Sequence, residues 1–199
     1  MLRVLSGNDF HKSLKRSELV GSLLVTSPHF SNPASENQLI FLCAHDESGT
    51  IGLTIGHKIN NLNVQDLVNN QSNRQTNPLI DLPVYSGGSI QEKRGFVLHS
   101  TDYLYPETFI IREPFAITAT LDAFRSLTGQ ERPRHALPIL GYTEWEPGEL
   151  EEELKENRWL CFYADDETIF NLPELDPWSN VMAKLQASNL IFFPHLGHA

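Results

Sequence analysis

The stretch "VYSGGSIQEKRGFVLHS", residues 84–100, poses the question on which the fold turns. Two runs rich in apolar and β-branched residues flank a Gly-Gly-Ser segment and a charged loop, and the second run stops at a histidine. Glycine-rich loops that cradle phosphate run from a strand into a helix N-terminus, where free amides and the helix dipole converge. Here the loop runs back into a strand instead. Gly87 and Gly88 therefore read as the bend of a hairpin, supplying positive φ for a turn or bulge. An anion nest of backbone amides is the alternative.

Working outward, extended segments dominate. "GSLLVTS" (residues 21–27) is a short strand that ends at Pro28, and the polar turn "HFSNPASEN" follows. "QLIFLCAH" (38–45) is apolar almost throughout and reads as a central strand. "DESGT" is turn chemistry and "IGLTIGH" (51–57) follows at once, which predicts a hairpin. Residues 60–70 read as a short helix with Val64, Leu67 and Val68 on one stripe, and "NQSNRQTNP" as a loop. "TFIIRE" and "FAITAT" are strands, and Thr120 caps a helix whose Leu121, Phe124 and Leu127 share a face. "ALPILGYTEW" returns to extended structure. "EPGELEEELKENRW" is a helix with Leu150 and Leu154 as an i,i+4 seam, and "RWLCFYA" is a further buried strand. Asp176-Pro177 starts a last helix with Trp178, Val181, Met182 and Leu185 on its apolar face. Strands in groups predict an α+β fold: a mixed, largely antiparallel sheet or barrel-like core with several short peripheral helices. Residues 1–20 are expected to form an N-terminal arm, 21–190 a single domain and 191–199 a tail.

With 199 residues, 40% hydrophobic and 20% charged, the composition is that of an ordinary globular protein. No run approaches the roughly 18 apolar residues of a spanning helix, and the first twenty residues lack an apolar segment of signal-peptide length. A cytoplasmic location without membrane contact is the expectation. The net charge of −10 sits in one block: residues 144–176 hold twelve acidic side chains against Lys155 and Arg158, and the remainder balances. The acidic helix reads as a solvated face, with a docking surface for a basic partner as the alternative. Nucleic-acid binding needs local positive potential, and with no long basic stripe direct DNA binding is not expected.

Several constellations carry possible chemistry. Cys43 and His45 stand two apart on a predicted strand, hence on one face, and a nucleophile–base pair is conceivable there. His45, His57 and His99 fall at predicted strand ends that could gather at one rim and hold a metal, although no tight ligand spacing marks them. His195 and His198 have i,i+3 spacing in the tail. His99, Asp102 and a hydroxyl of Ser89 or Ser100 can be drawn as a hydrolase triad, but no Gly-x-Ser-x-Gly elbow accompanies them.

"GSLLVTSP", "LIFLCAHDESGTIGLTIG", "VYSGGSIQEKRGFVLHS" and "GYTEWEPGELEEELKENRWL" occur in the order seen in the YqgE/AlgH family of bacterial proteins, and the resemblance covers about residues 21–185. It implies a compact α+β cytoplasmic protein of a family sometimes labelled putative transcriptional regulators, with no secure catalytic reaction and no cofactor. The favoured role is a non-enzymatic regulatory or interaction protein acting through a protein or small-ligand contact rather than direct DNA binding, with a protein partner expected. A small-molecule-binding protein or hydrolase using the His57/Gly88/His99 rim is the alternative. This chain departs from the family pattern at His57-Lys58-Ile59, where relatives carry an Asn-basic-Pro turn, and at Gly87-Gly88-Ser89, where Gly-Gly-Pro is usual. Glu144 and Glu149 replace a customary glycine and glutamine. The expected working surface is His57, Lys58, Gly87, Gly88, Ser89 and His99, with Tyr142 and Trp145 as aromatic anchors beside the acidic helix. The competing reading of the two rings is that they seat that helix on the sheet.

Overall fold

The computed structural model describes residues 3–4, 18–28, 37–69, 82–172 and 176–187. The loop expected at 70–78, the tail with His195 and His198, and most of the arm and of the "HFSNPASEN" turn lie outside the described residues. Eleven strands are β1 (Arg3–Val4), β2 (Leu23–Thr26), β3 (Leu39–Asp46), β4 (Gly49–Thr54), β5 (Lys58–Asn63), β6 (Pro83–Ser86), β7 (Ile90–Ser100), β8 (Phe109–Arg112), β9 (Phe115–Thr118), β10 (Ala136–Trp145) and β11 (Trp159–Tyr163). The helices are α1 (Val64–Asn69), α2 (Leu121–Ser126), α3 (Glu149–Lys155), α4 (Asp166–Asn171) and α5 (Pro177–Ala187).

The strands form one sheet in the order β1-β11-β2-β3-β4-β10-β7-β9-β8, with β6 on β10 and β5 on β6. Every pairing is antiparallel except β10–β6. The two ends of this order approach each other: the Arg112 guanidinium at the β8 end stands 4.1 Å over the Tyr163 ring of β11. The fold is α+β, an antiparallel sheet curled into a half-barrel with short helices around it.

Strand β3 shows why the central run is apolar throughout. Leu39, Phe41 and Cys43 enter the main core cluster, while Ile40 and Leu42 join a second cluster with Trp145, Leu150 and Leu154 under the acidic helix. Both faces of the strand are covered, so alternation with polar residues is not needed. The helix seams behave as their spacing predicts. Leu150 and Leu154 of α3 are buried, as are Val181, Met182 and Leu185 of α5. Thr120 Oγ1 accepts from Ala123 N, and Asp176 Oδ1 from Ser179 N, each capping the helix it precedes.

Two expectations are corrected, and one helix has no counterpart among them. Residues 60–63 are not the start of a helix but belong to strand β5, paired with β6; the helix begins only at Val64. Asn63 and Asp66 there exchange side-chain-to-backbone hydrogen bonds of 2.9 and 3.0 Å. Helix α4, capped by Asp165 through Thr168 N, was not foreseen. And β6 and β7 are not a hairpin. Leu140 of β10 faces Ser86 of β6 on one side and Gly95 of β7 on the other, so the two runs flank the same strand on opposite edges.

Candidate functional site

Because β6 and β7 lie on opposite edges of β10, residues 87–89 must carry the chain across it. Gly87 N donates to Leu140 O at 2.7 Å, and Thr54 N donates to Gly87 O at 2.8 Å. Backbone passes over backbone so closely that a Cβ on Gly88 would stand 2.3 Å from Tyr142 O. A Cβ on Gly141 would stand 2.5 Å from Gly88 O, and both glycines have positive φ, 145° and 75°. The Gly-Gly segment is neither a phosphate cradle nor a hairpin bend. It is a strand crossing that only glycines permit.

On the far side of the crossing the register between β7 and β10 breaks. Ile90 faces Tyr142 and Gly95 faces Leu140, which leaves residues 91–94 opposite Gly141 alone. Gln91, Glu92, Lys93 and Arg94 are exposed and form a charged protrusion. On the near side, Ser86 N donates to His57 O at 2.8 Å and Lys58 pairs with Tyr85. His57, Lys58, Gly87, Gly88 and Ser89 therefore gather at one corner, with Tyr142 buried beneath it. The Tyr142 ring meets Phe96 edge-on at 6.1 Å, and the Arg94 guanidinium lies 5.3 Å over Phe96.

Two residues of the expected surface sit elsewhere. His99 is 0% exposed, at the far end of the eleven-residue β7. Its ring makes hydrogen bonds with the Ser100 carbonyl at 3.0 Å and with Thr118 Oγ1 at 2.9 Å, and packs edge-on against Tyr105. Burial pushes its pKa down, opposed by the Ser100 carbonyl and the Asp102 charge. Trp145 is 5% exposed and lies under α3, donating its indole N–H to Glu153 Oε2 at 2.8 Å. Trp145 packs with Leu150 and Leu154 of the acidic helix, whereas Tyr142, which the competing reading also placed under that helix, belongs to the main core.

The catalytic constellations are not assembled. Ser100 Oγ donates to Asp102 Oδ1 and accepts from His135 N at 3.1 Å, while both ring nitrogens of His99 are engaged with other partners. Cys43 and His45 do not share a face. A register shift between Leu42 and Ala44 breaks the alternation, so Cys43 enters the main core while His45 turns to Thr50 (2.6 Å) and to Glu151 of α3 (3.7 Å). Burial raises the Cys43 thiol, and that of Cys161 is pushed up to about 12 by burial, partly offset by its hydrogen bond to Ser22. His45 pairs with Thr50 at the start of β4, His57 follows the other end of that strand, and His99 is buried at the end of β7, so the three form no rim.

The protrusion at 91–94 and the glycine opposite it were missed as a unit. A charged QEKR run inside a strand pattern, with a third glycine in "ILGYTEW", was the available signal. Among the described residues, no carboxylate lies within ion-pairing distance of Lys58, Lys93 or Arg94, whereas Lys155 and Arg158 of the acidic block are each paired.

The chain is similar over most of its length to proteins from several bacteria. The profile of the AlgH-like family matches residues 23–189. A UPF0301 protein from Caulobacter vibrioides is 37% identical over 169 residues, covering 84% of this chain and 87% of that protein. One from Rhodospirillum rubrum is 33% identical over 181 residues, covering 91% and 94%. The solution structure of the AlgH protein from Pseudomonas aeruginosa superposes with a TM-score of 0.71 at 31% identity, covering 90% of this chain and 95% of that one. A crystal structure of a Corynebacterium diphtheriae protein, at 18% identity, shares the fold with a TM-score of 0.65 over 87% and 91% of the two chains. Motif order, fold and sequence identity agree, and the chain belongs to the AlgH-like family.

Proposed function

We propose that this protein is a non-enzymatic regulatory or interaction protein of the cytoplasm that docks an acidic segment of a protein partner. The docking surface is the corner of His57, Lys58, Gly87, Gly88 and Ser89 together with Arg94, backed by the buried Tyr142. One observation carries the reading: Lys58 and Arg94 are left without a carboxylate partner among the described residues on a chain of net charge −10. Unpaired cations on an acidic protein select locally for acidic surface, while the long-range field opposes a polyanion such as duplex DNA. The buried thiols and the committed His99 further support a role by contact rather than by chemistry.

The test is capture from native cytoplasm with the parent and with Lys58→Glu/Arg94→Glu, followed by mass spectrometry. A protein retained by the parent, lost with the double variant at equal thermal stability and released by salt supports the docking corner. Identical captured sets overturn it, and saturable, sequence-dependent binding of duplex DNA overturns the exclusion of DNA. A second reading places the contact on edge strand β8, where Phe109 and Ile110 are 60% and 46% exposed. Loss of the same protein with Phe109→Ser, but not with the charge-reversed variant, would move the surface there.

A further inference from the structure

We propose that the cleft between β7 and α2 binds a small carboxylate with an apolar, ring-sized body, and that Lys93 is its charge partner. This site lies on the face of β7 opposite Arg94 and does not depend on the docking reading. Lys93 and Gly95 line this cleft together with Phe124, which packs in one cluster with Val97, while Phe96 packs on the other face of the strand. Gly95 gives the cleft its floor of bare backbone. A Cβ there would stand 2.8 Å from Phe124 Cζ, so the ring closes directly on the strand. Leu67 of α1, Leu121 and Phe124 of α2 and Leu140 of β10 supply the apolar walls, with Ala119 and the capping Thr120 beside them, around a volume of about 180 Å³.

That volume and lining select the ligand. An apolar cavity of roughly 150 Å³ lined by aliphatic and aromatic side chains holds a benzene-sized body, and ligand sites combine such a lining with a few placed polar groups. The charged group in the lining is Lys93, an exposed side chain that makes no ion pair or side-chain hydrogen bond among the described residues. Carboxylates next to the helical lining residues are already engaged. Asp122, beside Leu121, is paired with Arg125 at 2.8 Å, and Asp66, beside Leu67, accepts from Asn63 N at 3.0 Å. A lysine point charge can bind either a carboxylate or a phosphate, so the apolar ring-sized body, not the ammonium, is what separates an aryl carboxylate from free phosphate here.

The experiment titrates the full chain, isotope-labelled, with phenylacetate and with its neutral counterpart phenylacetamide, reading amide shifts by NMR. Saturable shifts at Gly95, Leu121 and Phe124 are expected for both, with phenylacetate about tenfold tighter, or about 1.4 kcal/mol. Lys93→Met is expected to bring phenylacetate down to the level of phenylacetamide and to leave phenylacetamide unchanged, its spectrum reporting that the fold is intact. The proposal is overturned if shifts at those amides do not saturate, if Lys93→Met binds phenylacetate as tightly as the parent, or if inorganic phosphate competes equally well.

Discussion

Trp145 and Trp159 share one acceptor: their indole N–H groups reach Oε2 of Glu153 at 2.8 and 2.7 Å, with the rings edge-on at 6.3 Å. The other oxygen of that carboxylate accepts from Arg158 Nη1 at 3.2 Å. One side chain of the acidic helix thereby ties together the end of β10 and the start of β11. The carboxylate that looked like part of a solvated face is structural.

Removing it leaves two partly buried donors unmatched. Glu153→Ala is expected to cost about 2–3 kcal/mol, roughly 5–10 °C in melting temperature for a chain of this size. Glu153→Gln keeps an oxygen acceptor and should lose about 1 kcal/mol. Chemical denaturation followed by tryptophan fluorescence measures both, and equal midpoints for the alanine variant and the parent would show that the indoles find other partners.

The crossing at Gly88 predicts a contrast between glycines. Gly88→Val and Gly141→Ala would drive a Cβ into backbone at 2.3 and 2.5 Å, and each is expected to cost about 3 kcal/mol or more or to prevent folding. Gly148 also has positive φ, 86°, but nothing lies within 4 Å of its Cβ position. Gly148→Ala should cost only the backbone term, about 1 kcal/mol. Similar losses at all three positions would mean that φ alone, not the crossing, requires glycine.

Both thiols should be silent in the folded protein. At pH 8, Ellman's reagent is expected to label neither Cys43 nor Cys161 until denaturant is added. Burial raises both folded-state pKa values above the ordinary 9.0, that of Cys161 to about 12. Their contribution to stability is therefore complete below pH 9 and is lost as pH rises from 9 toward 12, at about 1.4 kcal/mol per pH unit for each thiol. Cys161→Ala should show a shallower alkaline decline than the parent, and an unchanged slope would place that thiol in contact with water.

His99 carries the opposite window. Its pKa is lowered by burial from 6.5, so the unfolded chain takes up a proton that the folded one refuses. The stability this contributes is complete above pH 6.5 and is lost as pH falls below it. The ring Hε1 resonance of His99 should titrate with a midpoint below 6.5, and a titration centred at or above 6.5 would mean that the ring is solvated.

Much of the secondary structure could be read from local chemistry. Caps at Thr120 and Asp176, the Leu150–Leu154 seam and the turn between β3 and β4 depend on residues within a few positions of each other, and all stand where the pattern puts them. Of the candidate surface, His57, Lys58 and residues 87–89 come together because β5 and β6 pair. His99 and Trp145 do not join them, since a strand-end position says nothing about which face is covered. His99 is enclosed by Tyr105 and Thr118, and Trp145 by a helix that starts four residues later.

The sequence by itself determined the α+β class, the family and the positions of most strands, because apolar periodicity and capping are short-range. Only the tertiary structure decided that Gly87 and Gly88 cross β10 rather than bend a hairpin, that residues 58–63 are strand, and that Cys43 and His45 face opposite ways. A strand, two glycines and a second strand look the same in both topologies. What separates them is whether β10, some fifty residues further along, lies between the two runs, and that is settled by backbone hydrogen bonds that every residue type except proline can make.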